Sequence, residues 1–394
     1  MKQKAILILS LIIMTLTCYS QVISPTARRV QSYLPENAVI AHRGTIYWAP
    51  ELTEASFRWA RNAGADYLEL DVQRSNDGVL IIMHDKTFKR TTDVSTRFPG
   101  RENDPVSSFT CAEIIKLDAG SSFNSKNPDQ ARAAFTDLNV LVLEDAFRIA
   151  EGKRIKRGPD GSRIISRDSD GKPVFEYEPD PADNDHRPGV YIEFKIPEEY
   201  PGIEEQVYKL LASIGWNPLE GEKISDQTPF YLKGKVNTGN TNGKILVQTF
   251  SREGMYNLKR VFKEAVPCSF LISNPKTNDF VSTEVMDEII SFAIGAGAQF
   301  IGTNLGDSND GLTPLFSKKI HEAGLKSNVY SFNTIDQMEK YFGPAKGKKA
   351  APLADGMITN RSELTIDMYH NMKVRKLKNV MAPSEILDVL GYNK

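Results

Sequence analysis

Short apolar runs alternate with helix-length amphipathic stretches from residue 38 to residue 372. The runs fall at 38–41, 67–72, 190–194, 245–249, 269–272, 299–303, 326–331 and 356–359, and each reads as a strand. Between them, the spacing predicts helices over 54–63, 203–214, 252–262, 283–293, 314–323 and 335–342. Strand and helix alternate throughout, which points to a parallel α/β architecture, and eight strands is the number that closes a TIM (β/α)8 barrel. Gly64, Gly215, Gly297 and Gly324 each stand where a helix must stop before the next strand, the usual place of a left-handed cap.

Two stretches interrupt the rhythm. Residues 152–188 are charged and carry the turn pairs Asp160-Gly161 and Asp170-Gly171, which predict one or two inserted hairpins. Residues 219–243 are rich in Gly, Asn and Thr and read as a second excursion. Asp168, Asp170 and Asp183–Asp185 lack the full alternating pattern of a calcium loop and read as turns. The last stretch, 373–394, is a tail with a helix start at Pro383-Ser384-Glu385 and an apolar stripe at Ile386, Leu387 and Leu390.

The N-terminus has Lys2 and Lys4, then mostly apolar residues to Thr17 and small or polar ones near Ser20. This predicts a signal peptide over 1–20 and export to a periplasmic or extracellular space, with lipid attachment at Cys18 as the second reading. The barrel is assigned to 36–372. The formal charge of −1 over 394 residues gives no basis for nucleic-acid binding, and no other apolar run approaches a membrane span. Beyond Cys18 there are two cysteines, Cys111 and Cys268, enough for one disulfide at most and without the clustering of a zinc site.

Candidate chemistry concentrates between residues 41 and 85, in Ala41-His42-Arg43-Gly44, Glu69-Leu70-Asp71-Val72 and Met83-His84-Asp85. On a strand, Glu69 and Asp71 share one face while Leu68, Leu70 and Val72 take the other. Two adjacent carboxylates repel unless a cation joins them, and a hard divalent ion takes carboxylate oxygens while leaving positions for water and phosphate. Glu193 and Lys195 likewise share a face, placing a third carboxylate beside a cation suited to a phosphoryl oxygen. His42 and His84 each end an apolar strand, where imidazoles can act as acid and base. Asp85 has two equal readings, as the residue that orients His84 or as a local backbone cap.

These motifs, in this order, resemble the glycerophosphodiester phosphodiesterases. The resemblance continues through Arg90-Thr91-Thr92, Leu117-Asp118-Ala119-Gly120 and Val142-Leu143-Glu144-Asp145, similar to a segment inserted near 86–140, and later through Gln248-Thr249-Phe250, Tyr330-Ser331-Phe332-Asn333-Thr334 and Ala354-Asp355-Gly356-Met357-Ile358-Thr359-Asn360. It implies a barrel with one divalent cation, Ca2+ or Mg2+, held by Glu69, Asp71 and Glu193. By the same likeness His42 and His84 form the catalytic pair, and Arg43 and Lys195 bind the phosphate of a small phosphodiester. The implied reaction releases sn-glycerol 3-phosphate and an alcohol.

The chain departs from the family's Pro-Glu-Asn-Thr at Pro50-Glu51-Leu52-Thr53, and has Ser331 or Phe332 where the seventh strand often has tryptophan. Tyr47, Trp48, Phe250 and Phe332 are candidates to line the mouth of the site. The alternatives on the same residues are a phosphodiesterase for phospholipid or sphingolipid headgroups, a non-catalytic barrel that binds phosphorylated ligands, and a sugar-processing barrel, which Arg43 and Lys195 disfavour.

Overall fold

The computed structural model describes residues 22–273, 282–305, 312–342, 352–377 and 381–394. The signal-peptide and Cys18 readings lie outside the described residues. Eight parallel strands close on themselves: β1 Ala38–Ala41, β2 Tyr67–Arg74, β3 Gly189–Phe194, β4 Ile245–Thr249, β5 Cys268–Ile272, β6 Phe300–Asn304, β7 Lys326–Phe332 and β8 Gly356–Thr359. Closure is made by β1, which pairs with β8 through Ala41↔Thr359 and with β2 through Ala41↔Leu68. After an N-terminal helix, Pro25–Gln31, the main helices are α1 Glu54–Ala63, α2 Leu143–Ala150, α3 Ile203–Ser213, α4 Arg252–Phe262, α5 Thr283–Gly295, α6 Leu312–Glu322, α7 Ile335–Phe342, α8 Ser362–Asn371 and α9 Pro383–Val389. This is the (β/α)8 barrel that the alternation predicts, with strand ends within two residues of those read from sequence.

Alternation along each strand sorts the side chains into two cores. Leu68, Leu70 and Val72 face outward into the shell between strands and helices, which also takes Ile192, Val247, Phe57 and Phe147. Each such side chain contributes about 1.5–3 kcal/mol on burial. Inside the barrel a smaller cluster of Ala38, Ile40, Tyr67, Tyr191, Leu246, Phe300 and Ile358 fills the lower lumen. The next inward positions toward the strand C-termini are His42, Glu69, Asp71, Glu193 and Gln248, so the polar residues sit on an apolar plug.

Local signals start and stop these elements. Thr53 and Ser56 form a reciprocal cap at the start of α1, and Gly64 ends that helix with φ 92°. Gly215, Gly297 and Gly324 also have positive φ, between 77° and 81°. Val142 N–H donates to the buried Asp145 carboxylate at the start of α2, 2.8 Å, and Arg163 pairs with the same carboxylate.

Beyond β2 the chain forms an antiparallel strand, Leu80–Ile82, that pairs with β2 and delivers the segment carrying His84. The following segment packs its own core of Phe88, Val94, Val106, Phe109, Ile114 and Leu117. Cys111 belongs to that core and Cys268 to the barrel shell; both are free and buried. Between α2 and β3 lie two antiparallel ribbons, Lys153–Ile155 with Tyr177–Pro179 and Ile165–Arg167 with Pro173–Phe175.

The end of this excursion is fixed to α1 by Asp180, which accepts from Arg58 Nε and Nη2, both 2.7 Å, and from Arg61 Nη2, 2.6 Å. Burial opposes the Asp180 anion, but the two guanidinium groups outweigh it and bring its pKa down to about 2. Asp180→Asn leaves two buried cations with half their partner, so unfolding measured by denaturant should show a loss of about 3–5 kcal/mol. An unchanged denaturation midpoint would dismiss the clamp.

Candidate active site

The three acids predicted to share a cation converge. Asp71 on β2 stands in register with Glu193 on β3, and Glu193 with Gln248 on β4, so all three point into the lumen at one level. Glu69, Asp71 and Glu193 each offer an oxygen within 4.8 Å of the others, and all are buried. Burial and the neighbouring carboxylates push Glu69 well above the ordinary range; the same two causes raise Glu193, with Lys195 pulling the other way.

This cluster fits a divalent cation. Asp71 Oδ2 is buried with no hydrogen-bond partner, as is Gln248 Oε1 beside it. Oxygen donors with no soft or imidazole ligand among them suit Ca2+ or Mg2+. Glu69 also accepts from Arg43 N–H at 2.9 Å and from Gln248 Nε2 at 3.3 Å, which fixes its orientation.

The cations predicted for phosphate lie on the rim of this cluster. Lys195 Nζ is 2.6 Å from Glu193 and 3.6 Å from Asp71. Arg43 Nη1 donates to Glu51 at 3.0 Å, and its Nε lies 3.9 Å from Asp71 Oδ2. That Nε is buried without a hydrogen-bond partner, so it retains a free donor at the site. Arg43 has φ 52° and Gly44 φ 77°, and a Cβ on Gly44 would sit 2.8 Å from the Ser56 backbone. Only glycine lets this turn press against the start of α1.

The two histidines have unlike partners. His42 Nδ1 is 2.6 Å from Asn360 Oδ1, and since an amide oxygen can only accept, Nδ1 carries the proton and Nε2 is left with its lone pair. Asn360 is aligned in turn by donating to Asn333 Oδ1 at 2.7 Å. Burial among protein atoms, then the Arg43 charge, lowers His42 to about 3, against weaker upward pulls from Asn360, Asp71 and Glu51. His84 Nδ1 instead lies 2.6 Å from Asp85 Oδ1, an anion. Of the two readings of Asp85, the structure supports orientation of His84. Burial works against the Asp85 anion, but bonds from His84 and Arg90 hold its carboxyl well below the ordinary range.

Sequence reasoning missed four residues around this centre: Gln73, Arg90, Asn360 and Glu51. Gln73, the next inward position after Glu69 and Asp71, donates to Met83 O at 2.6 Å and Asp85 O at 2.8 Å and so holds the backbone on both sides of His84. The i, i+2 alternation that exposed the first two acids could have found it. The opposite corrections concern the aromatic candidates. Phe332 is fully buried against Tyr341 and does not line the mouth, while the half-buried Trp48 donates to Glu363 at 2.9 Å and stacks on Trp59. Phe250 does reach solvent, 38% exposed, with Lys195 Nζ 5.4 Å above its ring, and Tyr47 is 39% exposed beneath Arg361.

Leu52, where the family resemblance expects asparagine, has φ 57°. Asparagine tolerates that left-handed conformation better; here the buried leucine side chain joins the barrel shell, which offsets the strain.

A buried three-carboxylate cation site, two imidazoles and two phosphate-suited cations at the C-terminal mouth of a barrel define a phosphodiesterase-type hydrolase. The sequence profile of the Glycerophosphoryl diester phosphodiesterase family matches residues 42–164. A glycerophosphodiester phosphodiesterase of Bacillus subtilis (strain 168) is 28% identical over 300 residues, which is 75% of this chain and 81% of that protein. Among solved structures, one described as a glycerophosphoryl diester phosphodiesterase from Silicibacter pomeroyi superposes with a TM-score of 0.59 at 20% identity, over 89% of this chain and 99% of that one. An Oleispira antarctica phosphodiesterase, solved in complex with sn-glycerol-3-phosphate, gives 0.53 at 18% identity over 88% and 99%. By its profile over residues 42–164, and by the Bacillus protein over most of its length, the chain is similar to the glycerophosphodiester phosphodiesterase family. Among the described residues no helix is long and apolar enough to cross a membrane.

Proposed function

We propose that the protein hydrolyses glycerophosphodiesters to sn-glycerol 3-phosphate and an alcohol, with His42 as the base, His84 as the acid and one divalent cation held by Glu69, Asp71 and Glu193. The observation that carries this is the unlike pairing of the two imidazoles beside one carboxylate cluster. His42 keeps an unprotonated Nε2 and a neutral partner, Asn360, which suits it to accept a proton from the attacking glycerol hydroxyl next to the phosphate, giving a cyclic phosphate that water then opens to sn-glycerol 3-phosphate. His84 is held by the Asp85 carboxylate at 2.6 Å, which orients its ring, and it is assigned the delivery of a proton to the departing alkoxide. Arg43 and Lys195 bind the non-bridging phosphoryl oxygens from the rim. The cation, when bound, neutralises charge that grows on those oxygens during P–O cleavage.

The relatives' names and the sn-glycerol-3-phosphate in the Oleispira structure support the glycerol side of the substrate. Export through residues 1–20 remains part of this reading, and is checked by finding the mature N-terminus of secreted protein. Activity is tested with purified residues 21–394 on glycerophosphocholine and glycerophosphoethanolamine, with chelator, Ca2+ or Mg2+. The expected result is metal-dependent release of sn-glycerol 3-phosphate. A folded protein that releases none with either ion counts against the assignment and turns attention to lipid headgroup diesters.

A further inference from the structure

Arg90 occupies a place that neither the cation site nor the proton transfers account for. Its Nε and Nη2 donate to Asp85 at 2.6 and 3.1 Å, and its Nη1 and Nη2 donate to Glu51 at 2.8 and 2.7 Å. Asp85 is the carboxylate that holds His84, 2.6 Å away, and Glu51 is the one that accepts from Arg43, 3.0 Å away. One guanidinium therefore forks to two carboxylates, each of which orients a different site residue. The two arms come from different loops: Glu51 and Arg43 follow β1, whereas Asp85 and His84 follow β2 and the strand after it.

The electrostatics agree with the geometry. Burial opposes the Glu51 anion, but Arg90 and then Arg43 outweigh it and bring its pKa down to about 2. Both carboxylates are thus anions at any working pH, and Arg90 lies between them as their shared cation. A lysine could supply the charge there but not four directed N–H bonds, because only the planar guanidinium forks in two directions at once.

We infer that Arg90 is a positioning residue that sets the spacing between the proton donor His84 and the phosphate-binding Arg43 by bridging Asp85 and Glu51. It acts through the two carboxylates, to which its four side-chain hydrogen bonds go. This rests on the proposed roles of His84 and Arg43, and the two arms give it separable consequences. Loss of the Asp85 arm misorients the acid, which matters only when the leaving group needs a proton. Loss of the Glu51 arm loosens Arg43, which matters for phosphate binding with any leaving group.

The test compares wild type, Arg90→Met, Arg90→Lys and Asp85→Asn on glycerophosphocholine and on the p-nitrophenyl ester of glycerol 3-phosphate, whose phenolate departs without protonation. For Arg90→Met, kcat on glycerophosphocholine should fall about 10²-fold, the scale of a misplaced catalytic group, and by less than about tenfold on the p-nitrophenyl ester. KM should rise on both substrates alike. Arg90→Lys should lie between Arg90→Met and wild type. Asp85→Asn, which cuts only the His84 arm, should reproduce the kcat pattern with KM unchanged, and adding it to Arg90→Met should cost no further kcat. Equal kcat losses on both substrates, or no change on either, would overturn the role of Arg90 while leaving the activity itself standing. If Arg90→Met does not fold, Arg90→Lys and Asp85→Asn decide the matter by the same split. Wild-type protein inactive on both diesters would instead overturn the activity reading on which this rests.

Discussion

Glu193→Gln should lower kcat/KM by at least about 10³-fold and abolish the thermal stabilisation that Ca2+ or Mg2+ gives the wild-type protein. Removing a single charge-stabilising donor from an active site costs about 10²–10³-fold. Losing Glu193 removes more than that, because it takes one of three carboxylates from a cluster whose members lie within 4.8 Å of one another. The stability readout is independent of turnover. A ligand present at about 100 times its Kd stabilises the native state by about 2.7 kcal/mol, which for a chain of this size is a Tm rise of about 3 °C.

Without cation the mutant should be about as stable as wild type, since it gives up the 2.6 Å pairing with Lys195 but also relieves buried repulsion. Burial and the neighbouring carboxylates raise both Glu69 and Glu193, so protons compete with a cation for the same oxygens. Apparent cation affinity should therefore strengthen as pH rises. Calorimetric titration of wild type and Glu193→Gln with each ion checks both statements. Equal Tm rises in the two proteins would place the cation elsewhere.

What was legible in the sequence divides by the range of the interaction that matters. The eight strands and the pairing of Glu69 with Asp71 depend on alternation within a few residues, and alternation is visible in one chain. Glu193 is legible once its strand is placed beside β2, because parallel register sets it opposite Asp71. Partners that meet only through barrel closure are not. Asn360 is 318 residues from His42, and the two meet because β1 closes on β8 with Ala41 opposite Thr359, so that the next residues on each strand face one another. Supposing a closed barrel and pairing its first and last strands would have found it.

Arg90 and Glu51 stand on loops, where no periodicity constrains a long side chain, and their bond spans 39 residues. Phe332 fails for the converse reason. Composition near a strand end says that an aromatic ring is present, not whether it turns to the mouth or to a helix.

His42→Ala should cost about 10²–10⁴-fold in kcat on every diester, whatever its leaving group, since a base acts on the attacking side. The more discriminating variant is Asn360→Asp. In the wild type His42 titrates near 3 rather than at its ordinary 6.5. A lowered value means that, as pH falls from about 6.5 toward 3, the unfolded chain takes up a proton that the folded one refuses. The stability tied to the neutral ring is thus complete above about 6.5 and lost as pH falls through that window.

For the same reason the base is unprotonated across the whole range above about 3, and His42 should not set an acid limb near neutrality. Arg43, Glu51 and Asp71 also act on the ring and stay in place in the variant. A carboxylate at the position of the amide adds an anion 2.6 Å from Nδ1, and an opposite charge at such range raises an imidazole by about 1–3 units. The acid limb of kcat/KM for Asn360→Asp should therefore move up by that amount, with rates below wild type at pH 5 and close to it at pH 8. The acid-side loss of stability should shrink along with it. A pH profile identical to wild type, in a variant whose fold and cation binding are intact, would mean that His42 is not the base and that the attacking hydroxyl gives its proton elsewhere.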